Sequence, residues 1–400
     1  MTDSDRTQRL LFLLLLFTGT VSASMIIPFM AYFLVEGLGH EPWIISVYTA
    51  LAISLTVTTN RVFARRIDSG ARVFPLVGIA ATGYITAAAA LTLVPSLWMA
   101  LTIGVLGFGL SSSAVSTMFS LGGSLAEGHA IERSRFNAYM RATTSTAWMV
   151  GPALSFTLAD QLGLRAVFAT GLGIALIWLA LWWGTLPRDI TASAAKSPTS
   201  AEDAKAASRG LWLATGFVFF LSFAHSLTFS SLPIFYVAEV GLPGYAPGLA
   251  FSIKTFVEVF AIFSTPMLIA RFGIRTSLIA TTLLAIVATR FIASVTTFEM
   301  MLVGAALEGL YYGLFASLGI SYVQSFAKDA PARATAIYWN TLMISGLIAG
   351  PAVGLIAQVY DFGTVILVAT GVAVLATLFL IASRRGTTSP TRPQSESAAS

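Results

Sequence analysis

Apolar runs of about twenty residues, the length that crosses a bilayer, recur along the whole chain. Short polar or basic segments separate them. They fall near 10–34, 43–63, 73–94, 98–123, 137–159, 165–186, 211–236, 247–270, 276–294, 300–325, 334–359 and 363–382. Runs of this length exceed a barrel strand, so the pattern predicts helices. The expected fold is an all-α membrane protein of twelve transmembrane helices in two six-helix halves. The predicted organisation is an N-terminal half over 1–186, a linker over 187–210, a C-terminal half over 211–383 and a disordered tail over 384–400. The linker and the tail are rich in Ala, Ser and charge, the composition of flexible segments.

Composition strengthens this reading. Hydrophobic residues make up 56% of the chain, charged residues 10%, and the mean hydropathy is +0.81. A soluble domain carries about 25% charged residues, so this chain is predicted to be integral to the membrane. Arg6 and Arg9 precede the first apolar run, which is too long for a signal sequence and reads as a retained span. With both termini inside, nineteen of the 23 Lys and Arg residues fall in inner segments. Only Arg165 and Arg290 fall outside, and Arg141 and Lys254 lie within spans. The basic balance therefore serves orientation, and no nucleic-acid partner is expected. The chain has no cysteine, and its histidines at 40, 129 and 225 make no metal pattern, so neither metal nor cofactor is expected. No phosphate-binding G-x-x-x-x-G-K-[ST] loop occurs, which excludes ATP drive within this chain.

The two halves echo one another. YMRATTSTAWMVGPA, Tyr139 to Ala153, and YWNTLMISGLIAGPA, Tyr338 to Ala352, open on Tyr, close on Gly-Pro-Ala and form the fifth span of each half. MIIPFMAYFLVEGLG from Met25 and SSLPIFYVAEVGLPG from Ser230 pair the first spans in the same way. Parallel repeats of this kind are the sequence trace of an alternating-access transporter with its site at the repeat interface.

Twelve spans in a 6+6 layout resemble the major facilitator superfamily. Ala147-xxx-Gly151-Pro152 is similar to that superfamily's antiporter motif, and Gly346-xxx-Gly350-Pro351 repeats it. ARRIDSGARVF keeps Asp68 and the basic residues of the superfamily's loop signature between spans 2 and 3, but not its leading glycine or regular spacing. Three stretches resemble the bacterial sugar efflux transporters: MRATTSTAWMVGPALSF, FSIKTFVEVF, and YVQSF followed by WNTLMISGLIAGP. The resemblance implies proton-driven export of small sugars or glycosides, and it aligns Glu258 with the family glutamate.

Ionisable residues inside spans point to function. Here they are Arg141, Lys254, Glu258 and Glu308, with His225 in mid-span. Lys254 and Glu258 are one turn apart on one face, and Lys254 lies about as deep as Glu308, so either acid is within its reach. One reading is a structural ion pair. The other makes these three the proton-coupling set, with Glu258, nearest the midplane, as carrier. Arg141, Thr144, Ser145, Trp148 and Pro152 share one helical stripe, and an Arg, hydroxyls and an indole on one face suit a polyol. Arg141 also lies close enough to the inner surface to snorkel, and both readings stand. Asn340 occupies the matching position in the second half and offers both donor and acceptor. His225, with Ser222 and Thr228 on its face, reads either as a packing residue or as a relay awaiting a partner. The predicted substrate set is thus Arg141, Thr144, Trp148, Asn340 and His225. Gly151, Pro152, Gly350 and Pro351 are predicted to form an outer gate, because small residues permit close helix approach.

The expected function is a secondary transporter of the bacterial inner membrane, not an enzyme, exporting sugars in exchange for protons. Its partners are a small sugar, protons and lipid, and it acts as a monomer with both termini cytoplasmic. The alternative in the same fold is a multidrug exporter.

Overall fold

The computed structural model describes residues 3–128, 133–191, 209–326 and 331–383. Among these the regular elements are all helical, beside one isolated bridge. In the first half, α1 runs Asp3–Ile26 and continues through Phe29–Tyr32 and a π-helical turn, Phe33–Gly37. α2 is Trp43–Asp68 and α3 is Val73–Leu93. α4 is a composite of Leu97–Met99, a π turn at Ala100–Gly104, Val105–Ser111 and Ser113–Gly128. α5 is Arg133–Leu162 and α6 is Leu164–Thr185. In the second half, α7 is Arg209–Ile234 followed by a π turn, Phe235–Glu239. Then come α8 (Ala246–Phe272), α9 (Ile274–Ile292), α10 (Phe298–Ser325), α11 (Pro331–Val359) and α12 (Phe362–Ala382).

Eleven of these helices contain a stretch long and apolar enough to span a membrane. α5 is the twelfth. At 30 residues it is about 45 Å long, sufficient to cross. Its arginines and hydroxyls dilute the hydropathy that marks the others. The most polar helix of the bundle is therefore also the one carrying the stripe from Arg141 to Pro152.

The repeat read in the sequence is visible in the backbone. α1 and α7 each end in a π turn, and each is followed by a glycine in the left-handed region, Gly39 at φ 72° and Gly241 at φ 77°. That region penalises any Cβ, so glycine recurs at both places. The end of α7 is also tied to α12. Both Glu239 carboxylate oxygens accept from the first amides of α12, Phe362 N at 2.6 Å and Gly363 N at 2.9 Å. A carboxylate there satisfies orphan donors at the positive end of the helix dipole.

Within each half, large side chains fit against glycines. Gly19 of α1 and Gly78 of α3 face Trp178 and Trp182 of α6, and Trp182 Nε1 donates to Phe74 O at 2.8 Å. Gly107 of α4 lies on the Gly83 carbonyl of α3, and Gly109 faces Leu55 of α2. The α4 glycines thus pack helices, as expected of small residues in a bilayer. After α6 the chain turns back on the α2–α3 loop: Val73 N donates to Ile190 O at 2.8 Å, and Arg72 pairs with Asp189 at 3.6 Å. Most of the predicted linker, and the tail from 384, lie outside the described residues.

Candidate functional site

The buried charges converge where α7, α8 and α10 meet. Glycine sets the spacing. Gly309 and Gly313 of α10 lie directly on the backbone carbonyls of Lys254 and Glu258 of α8. This Gly-xxx-Gly pair brings the two backbones together and leaves the flanking Glu308 and Tyr312 beside the α8 charges. Lys254 is buried, with Nζ 3.0 Å from Glu258 Oε2 and 4.4 Å from the centroid of the Tyr312 ring. The Phe229 ring of α7 lies 5.8 Å from the same ammonium. Ring faces attract a desolvated cation, so Lys254 is held by one carboxylate and two aromatic rings.

Glu308 has different company. It is only 1% exposed and faces His225 of α7, with Nδ1 3.5 Å from Oε1. At that distance the contact has ion-pair range without being a hydrogen bond, and Oε1 accepts no hydrogen bond among the described residues. The same Nδ1 lies 3.1 Å from the Tyr311 hydroxyl. The imidazole stacks on Tyr312, with centroids 3.7 Å apart and planes 19° apart. Ser222, one turn earlier on α7, bonds Ser345 of α11 at 2.7 Å. His225 thus has the partner that the sequence left open. Lys254, for which either acid was within reach, pairs with Glu258. The favoured carrier, Glu258, has a side chain 20% exposed and salt-bridged, whereas Glu308 is sealed.

Trp148 joins this cluster through aromatic contacts. Its ring meets Phe229 edge-on at 6.4 Å, Phe229 meets Phe251 at 4.7 Å, and Phe251 meets Phe156 at 6.4 Å. The chain of rings links α5 to α7 and α8 across the two halves. Arg141 and Asn340 are both exposed and lie in the first half of α5 and of α11, toward the end of the bundle where those helices begin. The Thr144 hydroxyl donates to the Arg141 carbonyl of its own helix at 2.9 Å.

The repeated Gly-Pro turns lie at the opposite end and join the halves. α5 continues as a helix through Pro152, whose missing N–H frees a carbonyl one turn back. Neighbouring carbonyls recruit outside donors: Ala147 O accepts from Ser24 of α1 at 2.9 Å, and Met149 O from Ser252 of α8 at 2.6 Å. Gly248 of α8 packs on the Pro152 carbonyl and Ala153. On the other side, Gly350 of α11 lies against Thr49 of α2, and Ser46 donates to Pro351 O at 2.7 Å. Trp43 N donates to Gln358 Oε1 at 3.1 Å, and Gln358 Nε2 donates to Glu41 at 3.2 Å. Gly151 differs from Gly350, since it faces Ser24 and Met25 of its own half.

Sequence reasoning missed Phe229, Ser46, Ser252 and the Gly309/Gly313 pair. The glycine pair had a signal in its four-residue spacing. The others act across helices far apart in the chain and had none.

Comparison with known proteins agrees with this architecture. The model of the Major Facilitator Superfamily matches residues 12–287 and again 216–400. Sugar efflux transporter A of Escherichia coli is 26% identical over 93% of this chain and 94% of its own length. Sugar efflux transporter C of the same organism is 23% identical, covering 92% and 94% of the two chains. A putative sugar efflux transporter of Deinococcus radiodurans is 26% identical over 91% and 95%. In fold, the nucleoside transporter NupG superposes with a TM-score of 0.77 at 14% identity, covering 94% of this chain and 98% of that one. A bacterial homologue of the iron transporter ferroportin, in an inward-facing state, gives 0.73 at 17% identity, covering 96% and 100%. Twelve helices in two repeated halves, joined at paired Gly-Pro turns and matched along nearly their whole length, place this chain in the major facilitator superfamily as a multi-pass membrane transporter.

Proposed function

We propose that the chain exports small sugars or glycosides from the bacterial cytoplasm in exchange for protons, by alternating access between its halves. The observation that carries this reading is the near full-length similarity to bacterial sugar efflux transporters. The set of two acids, one lysine and one histidine between α7, α8 and α10, all but Glu258 buried, supports it, since such groups inside a membrane mark proton or substrate paths. The arginine asymmetry orients the bundle with both termini and the 187–210 linker on the cytoplasmic side. The Gly-Pro junction then forms the closed outer end, and the exposed Arg141 and Asn340 face the cytoplasmic entry.

The chemistry follows from these positions. Arg141, Thr144 and Asn340 offer charged and neutral groups to sugar hydroxyls at the entry. Trp148, deeper on the same stripe of α5, offers a flat face to the sugar ring. Protons entering when the junction opens are taken up by the carboxylates of this set and delivered inward. The inward proton gradient therefore drives the sugar outward. The aromatic chain from Trp148 to Phe156 gives a proton-coupled exporter of flat cationic drugs as the second reading.

The test is uptake of labelled sugars and cationic drugs into inverted membrane vesicles. An imposed acid-inside gradient should drive accumulation of at least one sugar and not of the drugs. Drug accumulation without sugar uptake would favour the second reading. Sugar uptake indifferent to the gradient would overturn proton coupling.

A further inference from the structure

We infer that the exchanged proton resides on the His225–Glu308 pair, with Tyr311 as its hydroxyl partner, and that Lys254–Glu258 is the charge latch responding to it. The inference rests on the sugar–proton exchange proposed above and deepens it. It also reassigns the carrier from Glu258, which the sequence favoured, to Glu308.

The two acids differ in how their charge is compensated. Glu258 sits 3.0 Å from Lys254 with its side chain 20% exposed. Its charge is already neutralised by the Lys254 ammonium, and its side chain is in part exposed. Removing or adding a proton there would break an ion pair rather than complete one. Glu308 is sealed, and among the described residues no Lys or Arg lies within ion-pair distance of it. Its partner is an imidazole, the one side chain that gains and loses charge readily near neutrality. An isolated carboxylate in such a place is costly, whereas one shared proton leaves the pair neutral overall. The proton sits either on Glu308 or on His225 Nδ1.

The groups facing this pair are few. α10 contributes Tyr311, 3.1 Å from Nδ1, and Tyr312, stacked on the imidazole. α8 contributes Lys254 and Glu258, and the π turn after α7 contributes the buried Tyr236 hydroxyl. When the shared proton departs to cavity water, the pair passes from neutral to one negative charge. Lys254 is the mobile cation beside it, already resting on the Tyr312 ring against which His225 stacks. Drawing Lys254 toward Glu308 breaks its bond to Glu258 and uncovers that carboxylate as an acceptor for sugar hydroxyls. Release of the proton and capture of the sugar then share one ammonium. This is the physical link that an exchanger needs between its two cargoes, and it is reciprocal, since sugar held at Glu258 favours loss of the proton.

Two measurements test the assignment, one of which needs no sugar. Infrared difference spectra of the purified wild-type protein across a pH step should show a protonated-carboxyl band that titrates with a histidine ring signal. Both should vanish in Glu308→Gln, and the carboxyl band should survive in Glu258→Gln. In proteoliposomes, Glu308→Gln should lose gradient-driven transport at least tenfold while retaining sugar exchange at equilibrium, and His225→Asn should lose gradient-driven transport to a similar extent. Tyr311→Phe, the mildest change, should keep transport but move its pH profile. A carboxyl band that persists in Glu308→Gln and disappears in Glu258→Gln would overturn the inference. So would full gradient-driven transport by Glu308→Gln. If the wild type shows the carboxyl and histidine signals but moves no sugar, the proton site stands and the substrate reading fails.

Discussion

The two halves share one architecture and divide the chemistry. Each has a first helix ending in a π turn and a left-handed glycine, and each has a fifth helix with a Gly-Pro turn. Yet His225, Lys254, Glu258 and Glu308 all belong to the second half. The first half contributes Arg141 and Trp148 from α5. The repeat left two scaffolds that fit face to face, one carrying the cluster of charges in which we place the proton and the other most of the polar stripe from Arg141 to Trp148. The Gly-Pro turns diverge in the same spirit, since Gly350 presses on the opposite half while Gly151 presses on its own α1.

The largest effect should come from breaking the second half's site at its scaffold. Any Cβ at Gly309 meets the Lys254 carbonyl, so Gly309→Leu must separate α8 from α10. Overpacking a tight core costs about 1–3 kcal/mol, and contact with backbone sets this change at the upper end or beyond. A clear fall in melting temperature in detergent, with loss of transport, is expected. Unchanged melting would mean that the α8–α10 contact does not set the geometry of the charges.

A sharper contrast lies in the two turns. Gly350→Leu should wedge α11 off Thr49 and open the outer end, raising the labelling of a cysteine beside Trp148 by an impermeant thiol reagent. Gly151→Leu should lower stability through Ser24 and leave labelling near the wild-type level. Equal labelling of the two variants would erase the distinction. Smaller still is the loss of single hydrogen bonds across the junction. Ser46→Ala and Ser252→Ala each remove a bond worth about 1 kcal/mol. Each should shift the balance toward the outward-open form about fivefold, read by the same labelling.

Much of this was legible in the sequence. Twelve helices and the correspondence of α5 with α11 follow from apolar run lengths and an internal repeat, which are local signals. That Lys254 and Glu258 are neighbours was also local, one turn apart on α8, though the sequence left Glu308 within reach of the same ammonium. The partner of His225 was not, because Glu308 lies on another helix and no spacing rule connects α7 to α10. The same holds for Phe229 beneath Lys254 and for Ser46 reaching Pro351. Run length fixes where a helix is but leaves its rotation about its axis open. Rotation decides which acid meets which base.

In the proposed cycle the halves rock about the site, and the Gly-Pro end must open for transport. Glu41 and Gln358 bond across that junction, 3.2 Å apart, in a chain without cysteine. Glu41→Cys with Gln358→Cys therefore places two unique thiols on opposite halves, within reach of a short cleavable thiosulfonate cross-linker. The account predicts that bridging them stops sugar transport and that cleaving the bridge restores it, with each single variant unaffected by the reagent. A bridged protein that still transports at the unbridged rate would contradict the account.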